Sequence, residues 1–432
     1  MNILISTNMK YTKKLLFTAA GLALAAHTAY AGNLTGRVVD ALTKAPIADA
    51  SVSRNGTVVR TGADGRFELP DAGGKVGVKA PGYRLQEVDE SSSSGPADIQ
   101  LVPFTPKALY LSFYGIGDRK MRNKALDLIS TTEINSLVID VKGDKGFVPY
   151  HSSVPLVSEV GGQKIITVRD VKGLLALLHS RGIYTIGRIV VFKDTPLATK
   201  RPDLMVKTRT GDVWRDREGL AWTDPFKKEV WDYNVDIAVE AAQLGFDEIQ
   251  FDYVRFPDSH QPQFSQPSTE EGRVAAISGF LAEAQKRLAP YNVFLSANIF
   301  GYVCWNRNDT YIGQKLDQIA QHVDYIAPML YPSGFQYGIP GYRKPVEHPN
   351  EIVYLTLKRA RERLGLPATR FRPWLQAFRD YAFDRRYFTG ELIKQQVEAA
   401  ETFGSNGWML WNPRNSYSPD GLSKRVAVAE NH

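Results

Sequence analysis

Only one cysteine, Cys304, occurs in the 432 residues of this chain, so no internal disulfide can form and stability must come from the core. The seven histidines are scattered, and no two stand at the spacing of metal ligands. The chain has no G-x-S-x-G nucleophile elbow, and no evident base stands beside Cys304 in sequence. We therefore predict no metal site and no cofactor, and the remaining groups suited to catalysis are carboxylates.

Strong charge imbalance and long apolar runs are also missing. The formal net charge of +7 is too modest to indicate a nucleic-acid partner. The apolar stretch Leu15–Ala26 is too short to span a bilayer. It follows basic residues within 10–14 and precedes a small-x-small cleavage site, Ala29-Tyr30-Ala31. This order predicts an export signal over residues 1–31 and a periplasmic or secreted protein.

Residues 33–103 have an all-β pattern, in which short β-prone runs alternate with turn dipeptides such as Asn55-Gly56. The expected strands are 34–40, 50–53, 57–60, 66–69, 76–80 and 98–102. The segment resembles the carboxypeptidase regulatory-like family in Thr35-Gly36-Arg37-Val38, in residues 46–52 and 61–67, and in Pro81-Gly82-Tyr83. The resemblance implies a small transthyretin-like sandwich without catalysis. Such a domain would act as a spacer or contact the cell envelope or an extracellular matrix.

From Ala108 onward, strand and helix patterns alternate. Strands are expected at 108–114, 136–141, 183–191, 247–253, 293–299, 324–330, 371–377 and 407–411. Helices are expected at 119–132, 169–181, 226–244, 269–289, 313–322, 349–365 and 388–403, with a last stretch at 420–430. Eight alternations over about 320 residues predict a (β/α)8 TIM barrel of the α/β class. A doubly wound open sheet is the alternative, but no glycine-rich phosphate loop follows the first strand.

The segment Phe246–Pro257, FDEIQFDYVRFP, carries the strongest functional pattern. Apolar and polar side chains alternate along it, with Ile249, Phe251 and Tyr253 on one face and Glu248, Gln250 and Asp252 on the other. A polar face fits a barrel interior near its mouth, and Asp252 would arrive at the carboxyl end of the strand, where barrel chemistry takes place. Arg255 could orient this carboxylate or bind a substrate. The alternative is a buried Asp252–Arg255 ion pair that only ties the strand to its loop.

The carboxyl ends of the other expected strands carry polar and aromatic side chains. They include Tyr114, Asp140, Lys142, Lys193, Asp194, Asn298, Tyr331, Gln376, Asp380, Trp411 and Asn412. Six of the seven tryptophans also fall on strands or on the loops that follow them. Aromatic faces bind sugar rings, and amides and carboxylates bind hydroxyls. A single tryptophan is more often a core residue, but the grouping points to carbohydrate, and paired carboxylates suffice for glycoside hydrolysis.

The barrel segment also resembles a bacterial family of glycosyl hydrolase-like domains of unknown function, over Lys107–Tyr417. The matching pieces are Val138–Lys142, Phe251–Pro257, Ser296–Gly301, Ile312–Gln314, Val323–Ser333 and Gly407–Asn412. The resemblance implies a glycosidase-like barrel with an aspartate at the strand-five position, where this chain has Asn298. Asparagine cannot donate a catalytic proton. Either the acid comes from Asp140, Glu347 or Asp380, or the chain binds sugar without cleaving it.

We therefore predict a glycoside hydrolase barrel over residues 107–417 that acts on a polysaccharide or oligosaccharide, with Asp252 as nucleophile or base. Asp140 would be the acid or a supporting carboxylate, and Arg255 and Lys142 would set the local charge. The expected glycan contacts are Asn298, Tyr331, Gln376, Asp380, Trp411 and Asn412. The alternative is a non-catalytic glycan-binding or scaffold barrel. No nucleic acid and no membrane span are expected.

Overall fold

The computed structural model describes residues 33–70, 74–88 and 98–425. The predicted export signal lies outside these residues, as does the end of the last expected helix. Within the described residues, no helix has both the length and the apolar character needed to cross a membrane.

Residues 33–101 form two small sheets around a shared apolar core. Their strands are β1 (Leu34–Asp40), β2 (Ser51–Arg54), β3 (Thr57–Arg60), β4 (Arg66–Leu69), β5 (Val76–Lys79), β6 (Gln86–Val88) and β7 (Asp98–Leu101). One sheet has the order β4-β1-β7 and the other β3-β2-β5-β6. Buried valines of both sheets, including Val38, Val52 and Val78, pack together. The predicted sandwich is confirmed as a fold. The strand β6 was not expected, because Gln86-Glu87-Val88 contains only one β-prone residue.

Eight parallel strands form a closed barrel in sequence order, as predicted. They are β8 (Lys107–Leu111), β9 (Ser136–Lys142), β10 (Tyr184–Val190), β11 (Glu248–Asp252), β12 (Phe294–Phe300), β13 (Tyr325–Met329), β14 (Trp374–Gln376) and β15 (Trp408–Trp411). The first strand ends earlier than expected, because Ser112 caps a short helix through its side chain. Tyr114 therefore lies in that helix rather than at a strand end, and it is exposed.

Helices surround the barrel. They are α1 (Phe113–Gly117), α2 (Arg119–Thr131), α3 (Pro155–Glu159), α4 (Val171–Ser180), α5 (Thr195–Lys200), α6 (Lys228–Leu244), α7 (Glu270–Leu288), α8 (Leu316–Ile319), α9 (Pro349–Leu364) and α10 (Gly390–Phe403). The first seven expected helices are confirmed as α2, α4 and α6–α10, although α8 is shorter than expected. Residues 420–425 form turns instead of the expected start of a last helix.

The polar face predicted for β11 lies inside the barrel, while Ile249 and Phe251 pack in the core that includes the surrounding helices. At the amino end of the strand, Glu248 forms an ion pair with Arg372 of the segment leading into β14. It also accepts a hydrogen bond from Ser296 Oγ at 2.6 Å. A fully buried carboxylate is tolerated only with such partners. Glu248 is thereby occupied by structural contacts.

The sandwich packs against the amino end of the barrel. Lys79 Nζ lies 2.7 Å from Asp324 Oδ2, and the backbone N–H of Gly82 donates to Tyr325 Oη at 3.2 Å. Leu85 and Phe104 pack on apolar side chains that fill the barrel interior. These contacts place the sandwich at the end of the barrel opposite to the carboxyl ends of the strands.

Candidate active site

A buried arginine on β10, Arg188, contacts three carboxylates near the carboxyl ends of the strands. Nη1 donates to Asp140 Oδ1, Nε to Asp252 Oδ2 and Nη2 to Asp144 Oδ1, each at 2.7 Å. In the barrel register, Arg188 pairs with Asp140 of β9 and with Gln250 of β11, which brings these interior positions together. Because its donors lie in one rigid plane, the guanidinium fixes the relative positions of the three carboxylates. We call these four residues the Arg188 cluster.

Asp140 is the most enclosed carboxylate of the Arg188 cluster, with 2% of its surface exposed. Its Oδ2 accepts hydrogen bonds from Tyr110 Oη and from the backbone N–H of Phe113, both at 2.9 Å. Burial raises the pKa of Asp140 to about 6, against the lowering effect of Arg188, and the charge of Asp144 raises it further. A carboxyl group with this pKa can hold a proton in mildly acidic solution, as a general acid must.

Asp252 ends β11, as predicted, and is 5% exposed. The next residue, Tyr253, has a φ of 48°, which is uncommon for a residue with a side chain. This turn lets the Tyr253 backbone N–H donate to Asp252 Oδ1 at 2.7 Å. The alternative ion pair with Arg255 is not present, because the guanidinium that meets Asp252 belongs to Arg188.

Asp144 is the solvent-facing member of the Arg188 cluster. Its side chain is 42% exposed, compared with 2% for Asp140 and 8% for Asp252. It lies in the turn that follows β9, which is closed by a hydrogen bond from Gly143 N to Phe147 O at 3.0 Å. Asp144 and Asp252 share the edge of the guanidinium formed by Nε and Nη2, so they are neighbours.

Aromatic rings border the Arg188 cluster on one side. The ring of Trp411 stacks on Tyr110 with centroids 4.0 Å apart, and the guanidinium carbon of Arg188 lies 5.0 Å from the Trp411 ring. Trp374 meets Trp411 edge-on at 5.4 Å, and its Nε1 donates to Asn298 Oδ1 at 2.8 Å. Asn298 is 1% exposed. Trp411 thus borders the cluster, whereas the carbonyl group of Asn298 is engaged by Trp374.

Tyr331, which follows β13, also lies near the Arg188 cluster. Burial raises the pKa of its hydroxyl well above the usual range, and the charge of Asp252 contributes to the rise. Its ring packs against Phe378 at 5.3 Å. A neutral tyrosine hydroxyl beside Asp252 can both donate and accept hydrogen bonds.

Three of the predicted glycan contacts instead hold loops together. Gln376 Nε2 donates to Ser333 Oγ at 2.7 Å, and Asn412 Nδ2 donates to Ala377 O at 2.6 Å. Although burial favours the neutral form, hydrogen bonds from Ser333 and from three backbone N–H groups lower the pKa of Asp380 to about 2. A carboxylate that remains ionised at neutral pH cannot act as the proton donor.

Lys142 and Glu347 make their contacts away from the Arg188 cluster. Lys142 is fully buried, and its Nζ lies 2.9 Å from Asp194 Oδ2 and 2.9 Å from Asn234 Oδ1 of α6. It therefore faces the helix layer instead of the barrel mouth, because the pairing of β9 with β10 shifts by one residue just before it. Glu347 is partly exposed and faces Lys344 and Arg386.

The tryptophans are mostly core residues. Trp214, Trp222, Trp374 and Trp408 are at most 8% exposed. The exposed aromatic residues near the mouth are tyrosines on segments that follow barrel strands, namely Tyr114, Tyr311, Tyr337, Tyr381 and Tyr387. The tryptophan positions in the sequence thus indicate exposed aromatic side chains less well than the tyrosines of the loops do.

Two central residues were missed by sequence reasoning. Arg188 stands inside an apolar strand, IGRIVV, where a charged residue needs a partner inside the barrel. Asp144, in the turn after β9, was not among the predicted site residues. The isolated charge of Arg188 was a usable signal, but its partners lie in two other segments, 44 to 64 residues away in sequence.

No other part of the described structure offers a similar set of groups. A recess of about 750 Å³ lies between α9 and α10, lined by residues such as Tyr354, Arg361 and Phe403. It faces outward from the helix layer and has one carboxylate, Glu362. Among the described residues, no three His, Cys, Asp or Glu side chains are arranged to hold a metal ion.

A family model described as "putative glycosyl hydrolase domain" matches residues 108–417, which is the whole barrel. The chain belongs to this family. No curated protein matches the sequence. The family membership confirms the resemblance stated for the barrel, while the assignment of the sandwich to the carboxypeptidase regulatory-like family stays a prediction.

Solved structures similar to this glycosyl hydrolase family member include two bacterial proteins. A hypothetical protein from Ruminiclostridium thermocellum ATCC 27405 is 41% identical, over 44% of this chain and 96% of its own, with a TM-score of 0.40. The PgaB (BpsB) glycoside hydrolase domain from Bordetella bronchiseptica is 13% identical, over 72% of this chain and 95% of its own, with a TM-score of 0.52. The latter likeness shows a shared barrel fold.

Proposed function

We propose that the chain hydrolyses glycosidic bonds in a bacterial polysaccharide, with Asp252 and Asp140 as its reacting carboxylates. The observation that supports this proposal best is the Arg188 cluster, which holds three carboxylates at the open end of a barrel from a glycosyl hydrolase family. Glycoside hydrolysis needs one carboxyl group that donates a proton and one that acts as nucleophile or base. The different environments of Asp140 and Asp252 suit this division of roles.

Asp140 is proposed as the proton donor, because burial raises its pKa to about 6. Because Asp140 is almost fully enclosed, its proton would go to a glycan bound at the bottom of the mouth. Asp252 is proposed as the nucleophile or base, held in orientation by Arg188 and by the Tyr253 backbone N–H. Sugar rings would pack on Trp411 and on the exposed tyrosines of the loops.

The charge-removing variant Asp252→Asn tests the proposal. It keeps the shape of the side chain, and its amide oxygen can still accept from the Tyr253 backbone N–H or from Arg188 while the carboxylate charge is lost. We expect hydrolysis of any cleaved glycan in a panel of bacterial exopolysaccharides to fall by about 10³-fold or more, in line with the loss of one of two essential carboxylates. Circular dichroism checks the fold. A folded variant with full activity would remove Asp252 from the mechanism.

The alternative function is a glycan-binding barrel without turnover, and Asn298 is the observation that favours it. Calorimetric binding of the same glycan panel to the unmodified chain separates the two functions. Binding without release of reducing ends would support the binder, and release of reducing ends that depends on Asp252 would support the hydrolase.

An exported enzyme, periplasmic or secreted, fits the signal pattern of residues 1–31. In this proposal the sandwich contacts the envelope or an extracellular matrix near the substrate. Fractionation of cells that express the full chain, with an antibody to the barrel, tests this location.

A further inference from the structure

Arg255, three residues after Asp252, is a buried arginine without a counter-ion. It is 8% exposed. Among the described residues, no carboxylate oxygen lies within 4.0 Å of its guanidinium, the distance that defines an ion pair here. A buried charge normally has an ionic partner, because its transfer out of water is costly. The neighbouring Asp216 cannot serve, since it is engaged by Lys193 at 3.0 Å and by Trp222 Nε1 at 2.9 Å.

The guanidinium of Arg255 is held by aromatic rings and by one hydrogen bond. Its central carbon lies 4.8 Å from the ring of Trp222, 5.1 Å from that of Tyr253 and 4.6 Å from that of Phe300. Nη1 donates to Phe256 O at 2.9 Å. These contacts fix the plane of the group and leave its other edge unused.

The unused edge consists of Nε and Nη2. Neither atom has a hydrogen-bond partner in the described structure. Neither is one of the fully buried polar atoms without a partner, so both atoms are accessible to solvent. Two parallel N–H groups on one edge of a guanidinium match the two oxygens of a carboxylate. The Arg255 guanidinium lies against the ring of Tyr253, whose backbone N–H donates to Asp252 of the Arg188 cluster.

The segments that follow the barrel strands also carry unpaired cations. Five exposed arginines on segments that follow barrel strands form no ion pair within the described residues: Arg217, Arg343, Arg379, Arg385 and Arg414. These arginines attract a polyanion, while the exposed carboxylate of Asp258 is also unpaired among the described residues.

We propose that Arg255 binds the carboxylate of a uronic acid residue in the substrate, so that this barrel acts on an acidic polysaccharide. The inference rests on the proposed function, because it names the substrate class of the same site. The bound carboxylate would supply the missing counter-ion, and the partly exposed ring of Tyr253 would lie beside the sugar.

The test combines a change in the protein with a change in the ligand. Oligosaccharides of glucuronate, mannuronate and galacturonate are compared with the same oligosaccharides after chemical reduction of their carboxylates to alcohols. The proteins are the unmodified full chain, Arg255→Gln, Arg255→Lys, and Arg181→Gln as a control that removes an exposed arginine at the opposite end of the barrel. Calorimetry gives binding, release of reducing ends gives kcat/KM, and thermal unfolding checks each fold.

We expect one of the acidic oligosaccharides to bind, and its affinity to fall about 10- to 150-fold in Arg255→Gln, the range for a charge-assisted hydrogen bond. Reduction of the carboxylates should weaken binding to the unmodified chain by a similar factor and have little further effect on Arg255→Gln. Arg255→Lys should recover part of the loss, because it keeps the charge without the paired N–H groups, and Arg181→Gln should bind normally.

Equal binding of acidic and reduced oligosaccharides, or no binding of any acidic one, would overturn the inference. An equal loss in Arg255→Gln for both forms would also overturn it. If the inference fails in one of these ways but the chain cleaves reduced or neutral glycans, the proposed hydrolase function still holds. Binding that depends on Arg255 without any release of reducing ends would support the inference and contradict the hydrolase.

Discussion

At the residue scale, one arginine determines how the candidate site is arranged. Arg188 neutralises part of the charge of three neighbouring carboxylates that would otherwise repel one another and protonate. One of its three hydrogen bonds goes to the partly exposed carboxylate of Asp144. The other two go to the buried carboxylates of Asp140 and Asp252. The same cation therefore supports carboxyl groups with different protonation behaviour.

The pH dependence of hydrolysis should depend on Asp144. The charge of Asp144 raises the pKa of Asp140, so Asp144→Asn should lower that pKa below its value of about 6. A proton donor is active while protonated, and its activity is lost as pH rises through its pKa. We expect the high-pH limb of kcat/KM in Asp144→Asn to move to lower pH.

Asp127→Asn is the matched control, since it removes an exposed carboxylate of α2 far from the Arg188 cluster. Its pH profile of kcat/KM should equal that of the unmodified chain. An unmoved limb in Asp144→Asn would show that Asp140 is not the donor.

Asn298→Asp should fail to increase hydrolysis. Asn298 is almost fully buried and accepts from Trp374 Nε1, so an aspartate there would be a buried charge without a cation and its pKa would rise. An aspartate whose pKa is higher in the folded state than in the unfolded state destabilises the protein increasingly as pH rises above about 4. The loss of melting temperature relative to the unmodified chain should thus be larger at pH 7 than at pH 4. A large gain of activity would instead show that the natural chain is a weakened enzyme.

At the scale of elements, buried polar contacts tie the strands to the helices around them. Lys142 at the end of β9 joins Asp194, the N-cap of α5, to Asn234 of α6. These contacts explain why a lysine predicted for the site is placed in the helix layer. They fix the start of α5 and the segment that leads to it.

Lys142→Met should lower the free energy of unfolding by about 3–5 kcal/mol, because Asp194 would remain as a buried unpaired charge. The double variant Lys142→Met with Asp194→Asn should recover part of this loss, since the asparagine can still cap α5 and carries no charge. Urea unfolding at neutral pH measures both. The activity per folded molecule should stay unchanged in each variant, and a folded variant without activity would return Lys142 to the site.

At the scale of the whole molecule, the sandwich covers the amino end of the barrel. Phe104 packs on Tyr184 with ring centroids 5.4 Å apart, and Arg84 stacks on Phe104 at 3.8 Å. Lys79 and Asp324 add an ion pair at the same interface. The two parts of the chain thus share buried surface.

A chain that begins at Pro106 should still form the barrel, as the sequence pattern predicts, but with reduced stability. Loss of the contacts of Leu85 and Phe104 exposes apolar surface worth roughly 3–6 kcal/mol in total. Thermal unfolding should show a lower melting temperature than for the full chain. Lys79→Met in the full chain, which breaks the partly buried ion pair and the hydrogen bond to Val293 O, should have a much smaller effect. Equal melting temperatures of the shortened and full chains would show that the sandwich adds nothing to the barrel.

The sequence alone determined the order of the elements, the closed barrel and the position of Asp252. These features follow from local patterns, since alternation of Glu248, Gln250 and Asp252 with apolar residues fixes which side of β11 faces inward. The apolar faces and capping residues of the helices act within one or two turns. Such signals are complete within a short segment, so they can be read without the rest of the chain.

Only the tertiary structure decided which side chains meet. Arg188, Asp144 and Tyr110 come from segments separated by dozens of residues, and the barrel register brings them to Asp140 and Asp252. Because the strand pairing shifts after Asp140, Lys142 points outward from the barrel. Next to the turn at Tyr253, Asp252 forms its ion pair with Arg188 and not with Arg255. Contacts of this kind depend on closure of the barrel, which requires all eight strands together. The sequence of a single segment therefore does not predict them.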